Sequence, residues 1–337
     1  MRSLYVTGPG TVQWVDIAEP SVENRDVLLK MRACGICGSD AFYIQVGGIP
    51  PRQGATPLGH EPAAEVVAVG SSVTGLAVGD HVVINPMRFT DGLLGSGGAQ
   101  GGLTEYIVVK DAVVGRQLRV IPPDIPWEVA ALNEPMAVAH HAVNRSGAKA
   151  GDKAVVFGAG PIGLGSILSL KSRGVAHVVA IDIVPHRLDK ALAVGADAVI
   201  NSQEEDVVDR LIALHGTATD AVGHGPKADT DVFLDAAGAP DVILSALRAA
   251  KHRAVLAIVA VHKVPVAIDF GAILAAEVDI RLSMGYPTEI FEVTDALIAH
   301  WPKYAHIISH TLPFDRALDA LALARTPGAA DKVVVTF

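Results

Sequence analysis

Over the first ~145 residues, apolar positions come in short runs broken by turn residues. "SLYVT" (3–7), "TVQWVDI" (11–17), "DVLLKMRA" (26–33), "AAEVVAVG" (63–70), "DHVVIN" (80–85) and "LTEYIVV" (103–109) are rich in Val, Ile, Thr or aromatics. Gly, Pro, Asp or Asn separates them, which predicts short strands in a compact, irregular β domain. The stretch 127–147 has helical spacing instead. From residue 151 the texture changes. Strand-like "KAVVF", "HVVAID", "DAVI", "DVFLDA" and "AVLAIVA" alternate with helix-like 161–174, 185–195, 205–216 and 240–251. That alternation predicts an α/β class with a doubly wound parallel sheet covered on both faces. After "DIRLSMGY" (279–286) come helical patterns at 288–301 and 315–324 and a closing strand "DKVVVTF". The simplest organisation inserts a sheet domain, 146–284, into a β-rich domain formed by 1–145 and 285–337.

Composition narrows the class of function. The chain has 337 residues, half of them hydrophobic, so two ordinary cores are readily buried. The 33 glycines suggest many tight turns. A net charge of −9 argues against nucleic acid or an anionic membrane as partner. No apolar run has bilayer length, and "MRSLYVTGPG" lacks the apolar core of a signal peptide. Two cysteines exclude a disulfide-rich secreted fold. A cytoplasmic location is the expectation.

"VVFGAGPIGLG" carries Gly158, Gly160 and Gly163 in G-x-G-x-x-G spacing, with Pro161 and Ile162 between the last two. The motif follows a predicted strand and opens a predicted helix, as a Rossmann dinucleotide loop requires. Gly158 would make the tight turn, Gly160 would admit a pyrophosphate, and Gly163 would let helix and strand pack closely. Asp182 ends the next strand, near the offset of the acid that holds the adenosine ribose. A carboxylate there repels a 2′-phosphate, so NAD is expected over NADP. Arg187, one helical turn on, is the only nearby basic group that could rescue NADP. The bland alternative has Asp182 capping the helix that starts at Pro185.

"CGICGSD" (34–40) holds both cysteines. At C-x-x-C spacing they could be a redox pair, part of a metal site, or one ligand and one bystander. His60 and Glu61 follow in "GHE", and Glu134 in "NEP". Cysteine, histidine and carboxylate are ligand types of a catalytic zinc, but separation over a hundred residues does not by itself bring them together.

"CGICGSD", "GHEPAAEVVAVGSSVTGLAVGDHVV", "NEPMAVAHHAV", "VFGAGPIGLG" and "DKVVVTF", in this order over nearly the whole chain, resemble the zinc-dependent medium-chain dehydrogenases. Glu-Pro in place of a cysteine ligand resembles the sorbitol, butanediol and idonate dehydrogenase branch. The resemblance implies a GroES-like catalytic domain around the Rossmann domain. It implies one catalytic zinc held by Cys37, His60 and Glu134, the last directly or through water. Glu61 would be a neighbouring acid able to approach the metal when ligands exchange. Asp40 would orient His60, Ser39 would take the substrate proton, and Cys34 would be a bystander. The implied reaction moves a hydride between a secondary alcohol (a polyol, vicinal diol or sugar acid), or its ketone, and NAD. Homodimers or homotetramers are common among such relatives, which often pair sheets at the segment matching "DIRLSMGY".

The chain departs from the family pattern twice. Where many relatives hold a second, structural zinc with four cysteines, residues 87–102 read "MRFTDGLLGSGGAQGG". That loop must be held by packing or by a subunit contact. Phe42 stands where alcohol dehydrogenases often have a histidine that passes the proton outward, so the proton must leave through cofactor ribose hydroxyls, water or another residue. His140, His141 and His224 read as packed or solvated histidines. "LDAAGAP" (234–240) and "VAVH" (259–262) end later strands and are expected to pass near the nicotinamide half. Phe42, Tyr43, Ile49 and Met136 are candidate pocket-lining residues. The competing classes are a zinc-free quinone or enone reductase on the same fold and a non-catalytic binding protein that reuses the scaffold.

Overall fold

The computed structural model describes residues 1–49 and 54–337. The chain forms two compact units, Met1–Glu134 with Ile290–Phe337, and Pro135–Glu289. These joints differ from the expected 145/146 and 284/285 because of the helix Asn133–Ser146. Beyond its first turn this helix packs within the second unit. A Cβ on Gly165 would stand 2.7 Å from Met136 Sδ, and His140 Nδ1 lies 2.7 Å from Ser169 Oγ. His141 and Asn144 reach Glu289, at 2.8 and 3.2 Å. Met136, 1% exposed, is therefore a packing residue of this unit and not a pocket-lining one.

In the first unit a long strand, Val27–Gly35, organises the larger sheet. It pairs antiparallel with Glu61–Val69, with Tyr106–Val109 and with Val333–Thr336. The strand alternates buried and half-buried residues up to Arg32, as the sequence pattern predicts. A register shift between Met31 and Ala33 breaks the alternation, and Ala33, Cys34 and Gly35 are all buried. The C-terminal strand thus belongs to this sheet, with Val334 beside Gly35. Val27, Leu29, Met31, Val66, Val82 and Ile107 form one core cluster; Leu4, Cys34, Ile44, Leu58 and Phe314 belong to another. The predicted helix at 288–301 is displaced to Glu292–Ala305 and kinks at His300, two residues before Pro302.

The cysteine-free loop at 87–102 is held by its own backbone. A Cβ on Gly95 would stand 1.9 Å from Gly59 O, on Gly101 2.3 Å from Leu58 O, and on Gly98 2.6 Å from Gly92 C. Glycines there let the loop lie flat on 58–59, the chain leading to His60. Gln100 then ties loop to sheet: its amide nitrogen donates to Asp91 and to Val108 O, and its oxygen accepts from Val108 N–H.

The second unit is a six-stranded parallel sheet. Its order is Ala198–Asn201, His177–Asp182, Lys153–Phe157, Val232–Asp235, Val255–Ile258 and Asp279–Leu282. The order reverses at Lys153–Phe157, the switch point at which such sheets bind ligands outside their carboxyl ends. Val155, Phe157, Val179, Phe233 and Leu256 pack between sheet and helices. No described helix is long and apolar enough to cross a membrane.

At the opposite, amino ends of these strands lies a buried polar chain. His215, 3% exposed, contacts Thr230 Oγ1 at 2.7 Å and His177 Nδ1 at 3.1 Å, while Lys153 Nζ donates to its carbonyl. Burial, then the charges of His177 and Lys153, push His215 down from 6.5 to about 4. Below pH 6.5 the unfolded chain takes up a proton that the folded ring refuses, so stability declines from there down to about pH 4. Denaturant titrations should show a loss of at most about 3 kcal/mol over this window, absent in His215→Gln. Equal pH slopes in the two proteins would contradict the assignment.

Candidate metal centre and dinucleotide loop

Three strand ends converge on Gly35. It pairs with Glu61 on one side and Val334 on the other, and Ile36 N–H donates to Val333 O at 3.0 Å. The chain then turns into the helix Gly38–Val46, with Cys37 as its N-cap. Asp40, third in this helix, returns its carboxylate to Cys37 N–H at 2.9 Å. This is the acidic half of a capping box, and it fixes Cys37 at the helix start. The other Asp40 oxygen lies 3.4 Å from His60 Nδ1. Nε2 is thereby left as the free ligand nitrogen, with Ser39 Oγ 3.3 Å away.

One ligand atom each from Cys37, His60 and Glu61 lies within 4.8 Å of the others. Glu134 is not part of that tight group. It is buried in the first turn of Asn133–Ser146 and acts electrostatically on Lys332. Glu61 Oε1 is buried without a hydrogen-bond partner, whereas Asp40 Oδ1 and His60 Nδ1 face each other. Thiolate, imidazole and carboxylate are the donors zinc takes, and a buried unpartnered carboxylate oxygen beside a thiol and an imidazole calls for a cation, so the residues present fit zinc. Burial disfavours the charged form of His60, but Asp40 and then Cys37 outweigh it and hold its pKa well above the usual value. Lys332, 3% exposed, is held above its ordinary range: burial works against its charge, while Glu61, Cys37 and Glu134 favour it.

The two cysteines have opposite surroundings. Cys34 is fully buried in the core beside Leu4 and Leu58, and burial first, with Asp40 and Glu61 adding, pushes its thiol far up. Cys37 is partly accessible, and both thiols are free. Cys37→Ser should lose bound zinc and activity together, because a hydroxyl replaces a soft anionic ligand poorly. Cys34→Ser should retain zinc and most turnover at a stability cost of about 1–3 kcal/mol for a buried hydroxyl. Metal content and turnover of the two variants check this, and equal zinc loss in both would refute it.

In the second unit Gly158 follows Lys153–Phe157 at φ +90, a left-handed conformation that favours glycine. A Cβ on Gly163 would strike Gly158 O at 1.7 Å. Gly160 is the N-cap of the helix Pro161–Ser172, with Pro161 at the first position and Ile162 next. Free N–H groups there face the carboxyl end of the sheet. Asp182 Oδ2 accepts from Ala159 N–H at 2.7 Å, and Oδ1 accepts from Ile183 and Val184 N–H. The carboxylate therefore pegs both the glycine loop and the start of Pro185–Val194, and Oδ2 keeps one lone pair for a ribose hydroxyl. Arg187 is half-buried in that helix's first turn.

Sequence reasoning missed Lys332 and the helix Gly38–Val46. Cys-x-x-Asp at 37–40 was a capping signal, and a single lysine opening the apolar run 333–335 was the other clue. Phe42, 57% exposed, lies on that helix, and Tyr43, on the same helix, stacks obliquely 6.4 Å from the His60 ring.

Residues 161–299 match the family described as zinc-binding dehydrogenase, and residues 23–118 match the alcohol dehydrogenase GroES-like domain. The chain is 33% identical to a (R,R)-butanediol dehydrogenase of Neisseria gonorrhoeae over 85% of its own length and 84% of that protein's. It is 30% identical to the sorbitol dehydrogenase of Bos taurus, over 96% and 92% respectively. The crystal structure of the 2R,3R-butanediol dehydrogenase of Bacillus subtilis superposes with a TM-score of 0.86 at 29% identity, covering 100% of this chain and 99% of that one. The chain belongs to the zinc-dependent medium-chain dehydrogenase/reductase superfamily, in its sorbitol and butanediol dehydrogenase-like branch.

Proposed function

We propose that the protein is a zinc-dependent dehydrogenase that moves a hydride between a secondary alcohol of a vicinal diol or polyol, or its ketone, and NAD. The convergence of Cys37, His60 and Glu61 on one buried point carries this reading. Cys37 and His60 would hold the metal, with Glu134 as third protein ligand and Glu61 close by. Zinc, when bound, polarises the alcohol and lowers its pKa. Ser39 Oγ, on the Nε2 side of His60, takes the alcohol proton. Asp40 Oδ1 faces Nδ1 and orients the His60 ring so that Nε2 is the nitrogen left for the metal. Gly158, Gly160 and Gly163 cradle the pyrophosphate, and Asp182 takes the adenosine ribose. With Phe42 unable to carry a proton, cofactor ribose hydroxyls and water provide its exit. The two free thiols suit a reducing compartment, and we read the protein as cytoplasmic.

The edge strand Asp279–Leu282 supports a homo-oligomer. Leu282 is 69% exposed and Met284 85% exposed, beside unpaired strand backbone, and such an edge pairs favourably with a second copy.

NAD reduction with a panel of vicinal diols and polyols, in zinc-loaded protein, tests the function. Turnover with at least one diol that stops on chelation is expected; no turnover on any secondary alcohol would refute it. Asp182→Ala should raise KM for NAD by about tenfold or more through lost charged hydrogen bonds and erode the preference over NADP. An unchanged NAD/NADP ratio would contradict the ribose role. Light scattering should give at least a dimer, and Leu282→Lys should shift it toward monomer; a wild-type monomer would refute the edge pairing.

A further inference from the structure

We propose that His262 and Asp235 form a latch between two strand-end loops, with His262 as a positioning residue that fixes the floor for the nicotinamide half of NAD. This rests on the NAD reading above and goes on to what holds the far half of the cofactor. Asp235 ends the strand Val232–Asp235 and is fully buried. Its Oδ1 accepts from Ala237 and Gly238 N–H, each at 2.9 Å, and its Oδ2 lies 2.6 Å from His262 Nε2. A carboxylate only accepts, so Nε2 is the donor. Nδ1 makes no hydrogen bond, and the ring is therefore tied by Nε2 alone.

The two loops lie side by side at the carboxyl end of the sheet. Val232–Asp235 pairs with Lys153–Phe157 on one side and with Val255–Ile258 on the other. Ala236 N–H donates to Phe157 O, and Val259 and Ala260 N–H donate to Asp235 O. A Cβ on Gly158 would stand 3.0 Å from Ala236 C, and one on Gly238 3.0 Å from Val261 O. The glycine loop, 236–238 and 259–262 thus make one continuous ledge. Packing does little for its outer end, because Val261, Lys263 and Val264 are exposed and His262 is the half-buried anchor between them. A dinucleotide with its pyrophosphate at Gly158–Gly160 and its adenosine ribose at Asp182 has to lay its other nucleoside across the strands on the opposite side of Lys153–Phe157. Those strands are Val232–Asp235 and Val255–Ile258, whose ends carry the latch. A ledge already fixed there spares the cofactor the entropy of ordering it.

Calorimetric titration of ADP, ADP-ribose and NAD into wild type, His262→Phe and His262→Gln reads the cofactor in parts. ADP lacks the nicotinamide nucleoside, ADP-ribose carries the second ribose, and NAD carries ribose and ring. His262→Phe keeps a ring and removes the donor; His262→Gln returns an N–H close to the place of Nε2. His262→Phe should bind ADP within about twofold of wild type and NAD about tenfold more weakly, the scale of one lost hydrogen bond to a charged group. His262→Gln should recover most of that affinity. A loss already present with ADP-ribose puts the ribose on the floor, and a loss seen only with NAD puts the ring there; either sustains the latch. Unchanged NAD affinity in His262→Phe overturns it, and so does equal weakening of ADP and NAD in a folded variant. If His262→Phe does not fold, its combination with Asp235→Asn, which removes the carboxylate left short of a donor, carries the same expectations. Wild-type protein that binds neither ADP nor NAD would instead overturn the underlying NAD reading.

Discussion

A carboxylate taken out of water needs a cation or several N–H donors against it, and the first unit buries three together with a cysteine thiol. Asp40, Glu61 and Glu134 are each at most 8% exposed, and Cys37 is only partly accessible. Among the described residues the only buried lysine or arginine is Lys332. One ammonium cannot balance this group, and the remaining deficit is what a dication supplies. Much of the local architecture follows from that deficit. Asp40 is shared between the Cys37 N–H and His60, Gly35 gives up its side chain to admit the Lys332–Glu61 pair, and the loop at 92–101 spends glycines to press against 58–59.

The second unit meets a different constraint. A dinucleotide loop has to bring backbone N–H groups close to phosphates, so steric room governs it rather than charge. Gly163 sits where any side chain would collide with Gly158 O, and Gly158 takes a left-handed turn. Asp182 serves this loop even without cofactor, because it accepts from Ala159 N–H and from the two residues that lead into the next helix. The sequence alternatives for Asp182, ribose acceptor or helix cap, are therefore compatible: Oδ1 is filled by the two N–H groups before the helix, and Oδ2 has one acceptor place left for a ribose hydroxyl.

What could be read from the sequence divides along the same line. The alternation of strands and helices, the glycine loop and Asp182 were legible because each is a local demand on neighbouring residues. The parallel sheet follows from that periodicity, while the order of its strands comes only from the fold. The metal cluster was legible only as a list of residue types, since Cys37, His60 and Glu134 come from separate elements. Its resemblance to a known family suggested their meeting, and the fold shows Glu61, rather than Glu134, inside the tightest group. Lys332 was invisible for a stronger reason: it lies 271 residues from Glu61, and only the return of the C-terminal strand beside Gly35 joins them. The helix Gly38–Val46 was missed because just Asp40 and Ile44 of it are buried, which leaves no apolar stripe to count. The unit boundary shifted because the helix Asn133–Ser146 continues through it.

The account stands on one claim, that a single thiolate among nitrogen and oxygen donors holds the metal. X-ray absorption at the zinc edge reads that set directly in the wild-type protein. It should show one sulfur at about 2.3 Å and the remaining ligands, nitrogen and oxygen, at about 2.0–2.2 Å. A shell with two sulfurs, or with none, would contradict it.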